Sequence, residues 1–448
     1  MFDKVLIANR GVAAVRVAHT LERLGVAYVT VYSQADAQLP YVRAAREAYC
    51  IGPGPARESY LNQDALLAVL AESGCDAVHP GYGFLAENAP FARRVQAAGA
   101  AFVGPAPDLV ELMGDKLNAR RAMQAAGVPV LAASGPVAGD GDALEEAARR
   151  VGFPLLVKAT AGGGGIGMRR VDTPDGLAAA VQRTRALAGR TFGDDTVYLE
   201  RRLEPARHVE FQIVGDRHGQ VRALFERDCS VQRRHQKVIE ECPAPGVARE
   251  PLTRMGERLA HALATLNYSS LGTVEMLMDA HGGFHFLETN TRLQVEHGVT
   301  EAVTGIDLVQ VQLRIAAGAR LDEVLPRSVD MTGHALELRV YAEDPDRFLP
   351  STGTLEQLRM PHGEGVRVYT AFEQGSVVTP FYDPMLALVI VHGADRDDAI
   401  ARALAALDQC EVQGVKTNIV FLRRVLQSPA FRSARHHVDL AAQPGAWS

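Results

Sequence analysis

The sequence has few cysteines, no long apolar run and no marked excess of either charge. Its five cysteines, Cys50, Cys75, Cys229, Cys242 and Cys410, form an odd set without a C-x-x-C pair. This argues against a disulfide framework or a thiolate zinc site and fits a reducing compartment. No window approaches the roughly 20 apolar residues that a membrane span needs, and the first apolar run, Val5 to Ala8, is too short for a signal peptide. Lys and Arg number 47 against 53 Asp and Glu, a formal charge of −6. No global pull toward nucleic acid or an anionic membrane is therefore expected, and any bound anion must meet a local cluster. Repeats, heptads and low-complexity tracts are absent too. The expectation is a soluble cytoplasmic protein of 448 residues, long enough for three domains at about 150 residues each.

What is present begins with a strand, Val5 to Ala8, then helical spacing at Val15, Ala18, Leu21 and Leu24, a helix stop at Gly25 and a second strand, Val26 to Tyr32. That is a βαβ unit and opens a parallel sheet. Its loop lacks G-x-G-x-x-G, so the pyrophosphate of a dinucleotide would find no glycine-lined approach. The glycine-rich segment His79 to Asn88 follows an apolar run, which predicts a loop at a strand end, where open sheets place ligands. Met113-Gly114-Asp115-Lys116 predicts a helix start, and the small polar stretch Ala132 to Gly141 a connector. A strand ending on Lys158 then runs into Gly162-Gly163-Gly164-Gly165-Ile166-Gly167. Such glycines permit close backbone approach to phosphate oxygens and also a mobile lid, although no Walker A lysine follows them.

His208, Glu210 and Gln212 alternate with Val209, Phe211 and Ile213, which predicts a strand with the three polar residues on one face, either solvated or part of a site. Arg227, Arg233, Arg234, His235 and Lys237, with Gln232, read as one turn-like anion site. Helices are expected over about Leu252 to Leu266, Ile306 to Ala317 and Ala399 to Leu407, and a strand over His334 to Tyr341. The strongest signal is a hairpin, Gly272 to Asp279 and Phe284 to Asn290, joined by Ala280-His281-Gly282-Gly283. A turn centred between His281 and Gly282 sets Glu275 opposite Glu288, with Asn290 on the same face. Opposed carboxylates repel unless a cation lies between them, and oxygen ligands suit Mg²⁺ that also holds phosphates. Just beyond, Arg292 can fork onto a small oxyanion, and Glu296 can accept a proton if its surroundings bring its pKa toward working pH.

The set Ala8-Asn9-Arg10-Gly11, His79-Pro80-Gly81-Tyr82-Gly83-Phe84-Leu85, Met113-Gly114-Asp115-Lys116, Arg227 to Lys237, Glu288 to His297, His334 to Arg339 and Ala342-Glu343-Asp344-Pro345 resembles biotin carboxylase of the ATP-grasp superfamily. The resemblance runs from Met1 to at least Val425. It implies an α/β architecture: a Rossmann-like parallel-sheet domain over 1–113, an ATP-grasp domain over 114–330 with a glycine-rich lid at about 130–203, and an α+β domain over 331–448. The implied activity is that of an ATP-dependent ligase forming a C–N bond, carboxylation of biotin by bicarbonate through carboxyphosphate. Lys116 and Lys158 resemble the phosphate ligands; Gly163, Gly164 and Gly165 the lid; and Glu200, Leu203, His208, Gln232 and His235 the nucleotide contacts. Glu275, Glu288 and Asn290 resemble the ligands of Mg²⁺ or Mn²⁺. By the same resemblance Lys237, Arg292, Gln294 and Val295 would hold bicarbonate, Glu296 would deprotonate it, and Arg339 would stabilise the biotin enolate.

Several positions depart from that pattern: Val12 for glutamate, Ala161 for glycine, Ile166 for a basic lid residue, Cys242 for alanine, Thr289 for an apolar residue, Gly298 for proline and Leu388 for lysine. They keep two alternatives in view, an ATP-grasp ligase acting on another nucleophile and a catalytically weakened nucleotide-binding paralogue. No Met-Lys-Met-like segment offers a biotin attachment site. Biotin is therefore expected on a separate carrier protein, with carboxyltransferase subunits as further partners, a homodimer by resemblance, and acetyl-CoA carboxylase in fatty acid synthesis as the common setting.

Overall fold

The computed structural model describes residues 1–137, 141–160 and 167–440. Ala161, the glycines at 162–165 and Ile166, the heart of the expected lid loop, lie outside them. The chain opens with strand β1 (Lys4–Ile7), helix α1 (Gly11–Leu24) and β2 (Ala27–Tyr32), the two strands parallel. Gly25 ends α1 at φ +68°, a left-handed conformation that glycine adopts without strain. With β3 (Ala48–Cys50), β4 (Ala77–His79) and β5 (Ala101–Phe102), the strands form a parallel sheet in the order β3-β2-β1-β4-β5. Both faces of β1 are covered: Val5 and Ile7 pack with Ala14, Val17 and Leu21 of α1, whereas Leu6 packs with Val29 and Phe91. A continuous apolar run suits a strand buried on both sides. At its C-terminal end Asn9 Nδ2 donates to the carbonyls of Pro80 (2.7 Å) and Tyr82 (2.8 Å). Gly81, at φ +62°, permits this approach, since a Cβ there would stand 2.8 Å from Asn9 Nδ2.

The helix α2 (Lys116–Ala125) starts where expected, with Asp115 Oδ1 accepting from Asn118 N at 2.7 Å. Met113 and Gly114, however, close the preceding helix Pro107–Gly114 rather than open this one. A four-stranded antiparallel sheet follows: β6 (Ala133–Pro136), β7 (Leu155–Ala159), β8 (Met168–Val171) and β9 (Val197–Arg201), in the order β6-β9-β7-β8. β6 lies inside the stretch expected to be only a connector; pairing with β9 overrides its weak strand composition.

The third sheet has eight antiparallel strands: β10 (Arg207–Gly215), β11 (Val221–Arg233), β12 (Gln236–Cys242), β13 (Ser270–Met278), β14 (Phe284–Asn290), β15 (His334–Tyr341), β16 (Val366–Thr370) and β17 (Met385–Gly393). Their order is β14-β13-β10-β11-β12-β15-β17-β16. The sheet crosses from residues before 330 to residues after it through the β12–β15 pair. The helix Arg249–Thr265 lies against β11 and β10, with Gly256 beside Ala223 and Phe211 and with Leu252, Leu259 and Leu263 in the core cluster that holds Val209 and Phe211. The polar face of β10 is not solvated: His208, Glu210 and Gln212 are all buried, because further secondary structure covers that side too. Another expectation needs correction. The basic stretch from Arg227 to Lys237 is a strand pair whose turn is only Arg234 (φ 48°) and His235 (φ 67°). A two-residue hairpin with both φ positive normally advertises itself by Asn or Gly, and neither is present.

Three departures from the family pattern meet in one place. Val12 and Leu388 pack with Tyr369 and Ile390 in an apolar cluster, and Gly298 abuts Ile390, whose Cδ1 lies 2.4 Å from where a Cβ would stand. Another buried joint holds the C-terminal segment: Asp228 of β11 accepts from Arg207 Nη2 (2.7 Å), Ser230 N (2.9 Å) and His436 Nε2 (3.2 Å). Burial alone would raise the Asp228 carboxyl, but Arg207 and His436 hold it far below the ordinary range. A depressed carboxylate contributes stability fully above its unfolded pKa, near 4, and loses it as pH falls toward the folded value. Asp228→Ala is expected to lower the unfolding free energy at neutral pH by about 3–5 kcal/mol. In urea titrations the gap to wild type should narrow as pH drops below about 4; a gap independent of pH would show that this charge is not what matters.

Candidate active site

The hairpin β13–β14 sets the first part of the site. Near the turn, Met278 faces Phe284 and Leu277 faces His285, so the turn is centred on His281 and not between His281 and Gly282. Asp279 Oδ1 closes it by accepting from His281 N and Gly283 N, each at 2.9 Å. That register alone would misalign the two glutamates by one residue. A β-bulge at Leu287 inserts the missing residue, and Glu275 does stand opposite Glu288, with Thr273 opposite Asn290. Asn290 Nδ2 donates to Glu275 Oε1 at 2.9 Å.

Lys237 of β12 lies at the centre of the charge network. Its Nζ is 2.6 Å from Glu210 Oε2, 2.7 Å from Glu275 Oε1 and 2.6 Å from Glu296 Oε1. Burial alone would lower the ammonium's pKa; the three carboxylates hold it well above the ordinary value instead. The same attraction acts in reverse on Glu275, which Lys237 and His208 hold far down against burial. His208, with Nε2 3.2 Å from Glu275 Oε2, is pushed up to about 9 although burial opposes it. Glu296 also lies below the ordinary range, because Lys237, Arg339 and Arg227 outweigh burial and Glu210. Its surroundings thus do not tune it toward neutral pH here; they keep it ionised.

Arg292 is fixed by Glu87 Oε2 (2.8 Å), Asn290 Oδ1 (2.9 Å) and Gln294 Oε1 (3.0 Å). Arg339 Nη2 donates to Glu296 Oε2 at 2.9 Å. On the other side of the site Lys158 Nζ is 2.8 Å from Glu200 Oε1, and Lys116 is buried enough to lower its pKa. Lys116, Lys158, Glu200, Leu203, His208, Gln232, His235, Lys237, Glu275, Glu288, Asn290, Arg292, Gln294, Val295, Glu296 and Arg339 all line one cavity of ≈ 430 Å³. Gly163, Gly164 and Gly165 fall outside the described residues.

The donor set bears on where a divalent cation could sit. Two other acidic groupings, His208–Glu210–Glu275 and Glu210–Cys229–Glu296, are compact enough for an ion, but the Lys237 ammonium already neutralises both. Glu288 differs: burial, then the facing Glu275, raises its pKa, with Lys116 and Lys158 pulling against them. Glu288 faces Glu275, and this oxygen-only pair suits a hard cation such as Mg²⁺, with Glu275 already sharing Lys237 and His208.

Three family models cover the chain in succession: the biotin carboxylase N-terminal domain over residues 1–110, the carbamoyl-phosphate synthase L chain ATP-binding domain over 115–324, and the biotin carboxylase C-terminal domain over 337–443. The biotin carboxylase of Halalkalibacterium halodurans is 48% identical over 433 residues, covering 97% of this chain and 96% of that one. The chain belongs to the biotin carboxylase family. Biotin carboxylase 2 of Bacillus subtilis is 46% identical over 443 residues, 99% of this chain and 100% of that one. Among solved structures, a biotin carboxylase–β,γ-ATP complex from Campylobacter jejuni superposes with a TM-score of 0.96 at 39% identity, covering 99% of each chain. The biotin carboxylase domain dimer of Hydrogenobacter thermophilus 2-oxoglutarate carboxylase, solved with MgADP, ADP and bicarbonate, gives a TM-score of 0.95 at 39% identity over 100% of this chain and 99% of that one.

Sequence reasoning did not single out Glu87, Glu240 or Glu337, and it left Glu210 between a solvated face and a site. Glu87 lies in the segment already marked as a ligand loop, and Glu337 stands two residues before Arg339 on one strand, so period-two alternation was the available signal. Nothing local marks Glu240 within Val238-Ile239-Glu240-Glu241-Cys242. Because Lys237 neutralises three buried carboxylates, Lys237→Met is expected to lower the unfolding free energy by about 3–5 kcal/mol. Urea midpoints measure it, and an unchanged midpoint would mean that another cation compensates.

Proposed function

We propose that this chain uses ATP and bicarbonate to carboxylate biotin carried on a separate protein, the first half-reaction of a biotin-dependent carboxylase, and that it works in the cytoplasm. The observation that carries this reading is the convergence of Lys237, Arg292, Arg339 and Glu296 on the cavity that Glu275 and Glu288 border. Membership of the family supports it, as do the nucleotide and bicarbonate complexes of structural relatives. A pyruvate carboxylase subunit from Methanothermobacter thermautotrophicus is 43% identical over 98% of this chain and 89% of its own length; related chains thus serve carboxylases of different names, and acetyl-CoA is one candidate final acceptor.

In this reading Lys116 and Lys158 take the ATP phosphates, with Lys158 exchanging Glu200 for a phosphate oxygen, while Glu200, Leu203, His208, Gln232 and His235 border the nucleotide. Glu275 and Glu288, with Asn290 beside them, would hold Mg²⁺, which supplies charge neutralisation at the phosphates. Phosphoryl transfer needs little else beyond positioning. Lys237 and Arg292, with Gln294 and the Val295 backbone, hold bicarbonate as it attacks the terminal phosphate. An anion there draws Lys237 away from Glu296, which raises the basicity of that carboxylate when it must take a proton. Carboxyphosphate then breaks down beside biotin, whose ureido oxygen Arg339 stabilises as charge develops. A homodimer is part of the proposal, in keeping with the dimer formed by the Hydrogenobacter thermophilus domain.

Free biotin is expected to stimulate bicarbonate-dependent ADP release, and Glu296→Ala to cut the stimulated rate by about 10²–10⁴-fold. A stimulated rate unaffected by that change would remove Glu296 from the mechanism. ATP turnover with another nucleophile, and none with biotin or carrier, would replace the substrate assignment.

A further inference from the structure

Behind Arg339 lies a pair of acids that this mechanism does not use. Glu240 of β12 and Glu337 of β15 stand directly opposite each other in the antiparallel ladder, and neither has any solvent exposure. Among the described residues, none of their four carboxylate oxygens has a hydrogen-bond partner. Glu240 Oε1 lies 2.5 Å from Arg339 Nη2, an ion-pair contact without hydrogen-bond alignment, and the same Nη2 is the donor to Glu296 Oε2. The other flank of β15 is apolar: Ile390 stands opposite Glu337 and Leu388 opposite Arg339. Gly298 adds no side chain, and a Cβ there would be 2.9 Å from Glu337 Oε2.

Other charged or titratable groups that act on the pair are Arg227 and Cys229 on β11, Lys237 on β12, Glu296, Tyr341 on β15, and Tyr82 from the glycine-rich loop. Two buried carboxylates face to face beside one guanidinium, which Glu296 also claims, titrate as a unit and retain a proton. Burial, then the charge of Glu240, holds Glu337 well above the ordinary carboxylate range. Burial raises Glu240 as well, but Arg339, in direct contact, pulls against it.

We propose that Glu240 and Glu337 form a one-proton carboxyl pair that positions Arg339: Glu240 anchors the guanidinium as a carboxylate, and Glu337 stays a neutral acid. The pair then presents a single negative charge to Arg339 and leaves Glu296 its ion pair. Loss of the remaining proton would draw Arg339 back from the cavity toward two anions and lower the turnover of biotin without touching the ATP site. Both glutamates are positioning residues, since they act through Arg339.

The inference rests on the biotin reading for its kinetic consequence but not for its proton, so two measurements separate the failures. Infrared difference spectra of the ligand-free full-length chain at neutral pH should contain the carbonyl stretch of a neutral carboxylic acid that disappears in Glu337→Gln. In Glu337→Asp, the second variant should the amide not fold, that band should be displaced. A neutral-acid band unchanged in both variants, or no such band in wild type, overturns the pair. If wild type shows biotin-stimulated ADP release, its kcat should fall on the alkaline side. Glu337→Gln, which has no proton to lose there, should keep at least about threefold more of its own optimal kcat at about pH 9.5. Coincident pH profiles overturn the positioning role. Absence of biotin stimulation in wild type would refute the proposed reaction, and with it the role at Arg339, whatever the spectra show of the proton.

Discussion

A carboxylate taken out of water must find a positive charge, keep its proton or be costly. Five of the glutamates around this site, Glu210, Glu240, Glu275, Glu296 and Glu337, are at most 5% exposed, and the arrangement of the site follows from how each meets that requirement. Glu210 shares Arg227 and Lys237, Glu275 shares Lys237 and His208, and Glu296 shares Lys237 and Arg339. Glu288 stays raised by burial and by Glu275 although Lys116 and Lys158 pull against them. That imbalance is the physical reason to assign a cation to the β13–β14 hairpin.

Ligand binding in such a network is an exchange of partners. Four of the cations proposed to meet a substrate are held by carboxylates beforehand: Lys158 by Glu200, Lys237 by three glutamates, Arg292 by Glu87 and Arg339 by Glu296. These side chains are therefore ordered before substrate arrives, which reduces the entropy lost on binding. The same pairing makes the basicity of Glu296 responsive to what occupies Lys237. A general base can thus be quiet in the empty site and active in the loaded one.

Much of this could be read from the sequence because it depends on local patterns. The opening βαβ unit, β15 and the hairpin carrying Glu275 and Glu288 all follow from periodicity and turn residues. The hairpin also shows how that reading can arrive by compensation: the turn is one residue from the expected place, and the bulge at Leu287 restores the pairing. What could not be read depends on layering. Alternation in β10 left open whether its polar face is solvated or part of a site, and tertiary packing buries both sides. Arg234 and His235 turn the chain without Gly or Asn, and Glu240 meets Glu337 only because strands 90 residues and more apart in sequence pair as β12 and β15. The departures Val12, Leu388 and Gly298 looked independent along the chain; in space they gather about Ile390.

The account depends most on the facing glutamates of the hairpin as a divalent-cation site. Titration of Mn²⁺ into the protein with ADP, followed by electron paramagnetic resonance of the free ion, tests this directly. Wild type should take up the ion, and the double substitution Glu275→Gln with Glu288→Gln should lose that uptake while still binding ADP. Equal Mn²⁺ uptake by both proteins would contradict the account.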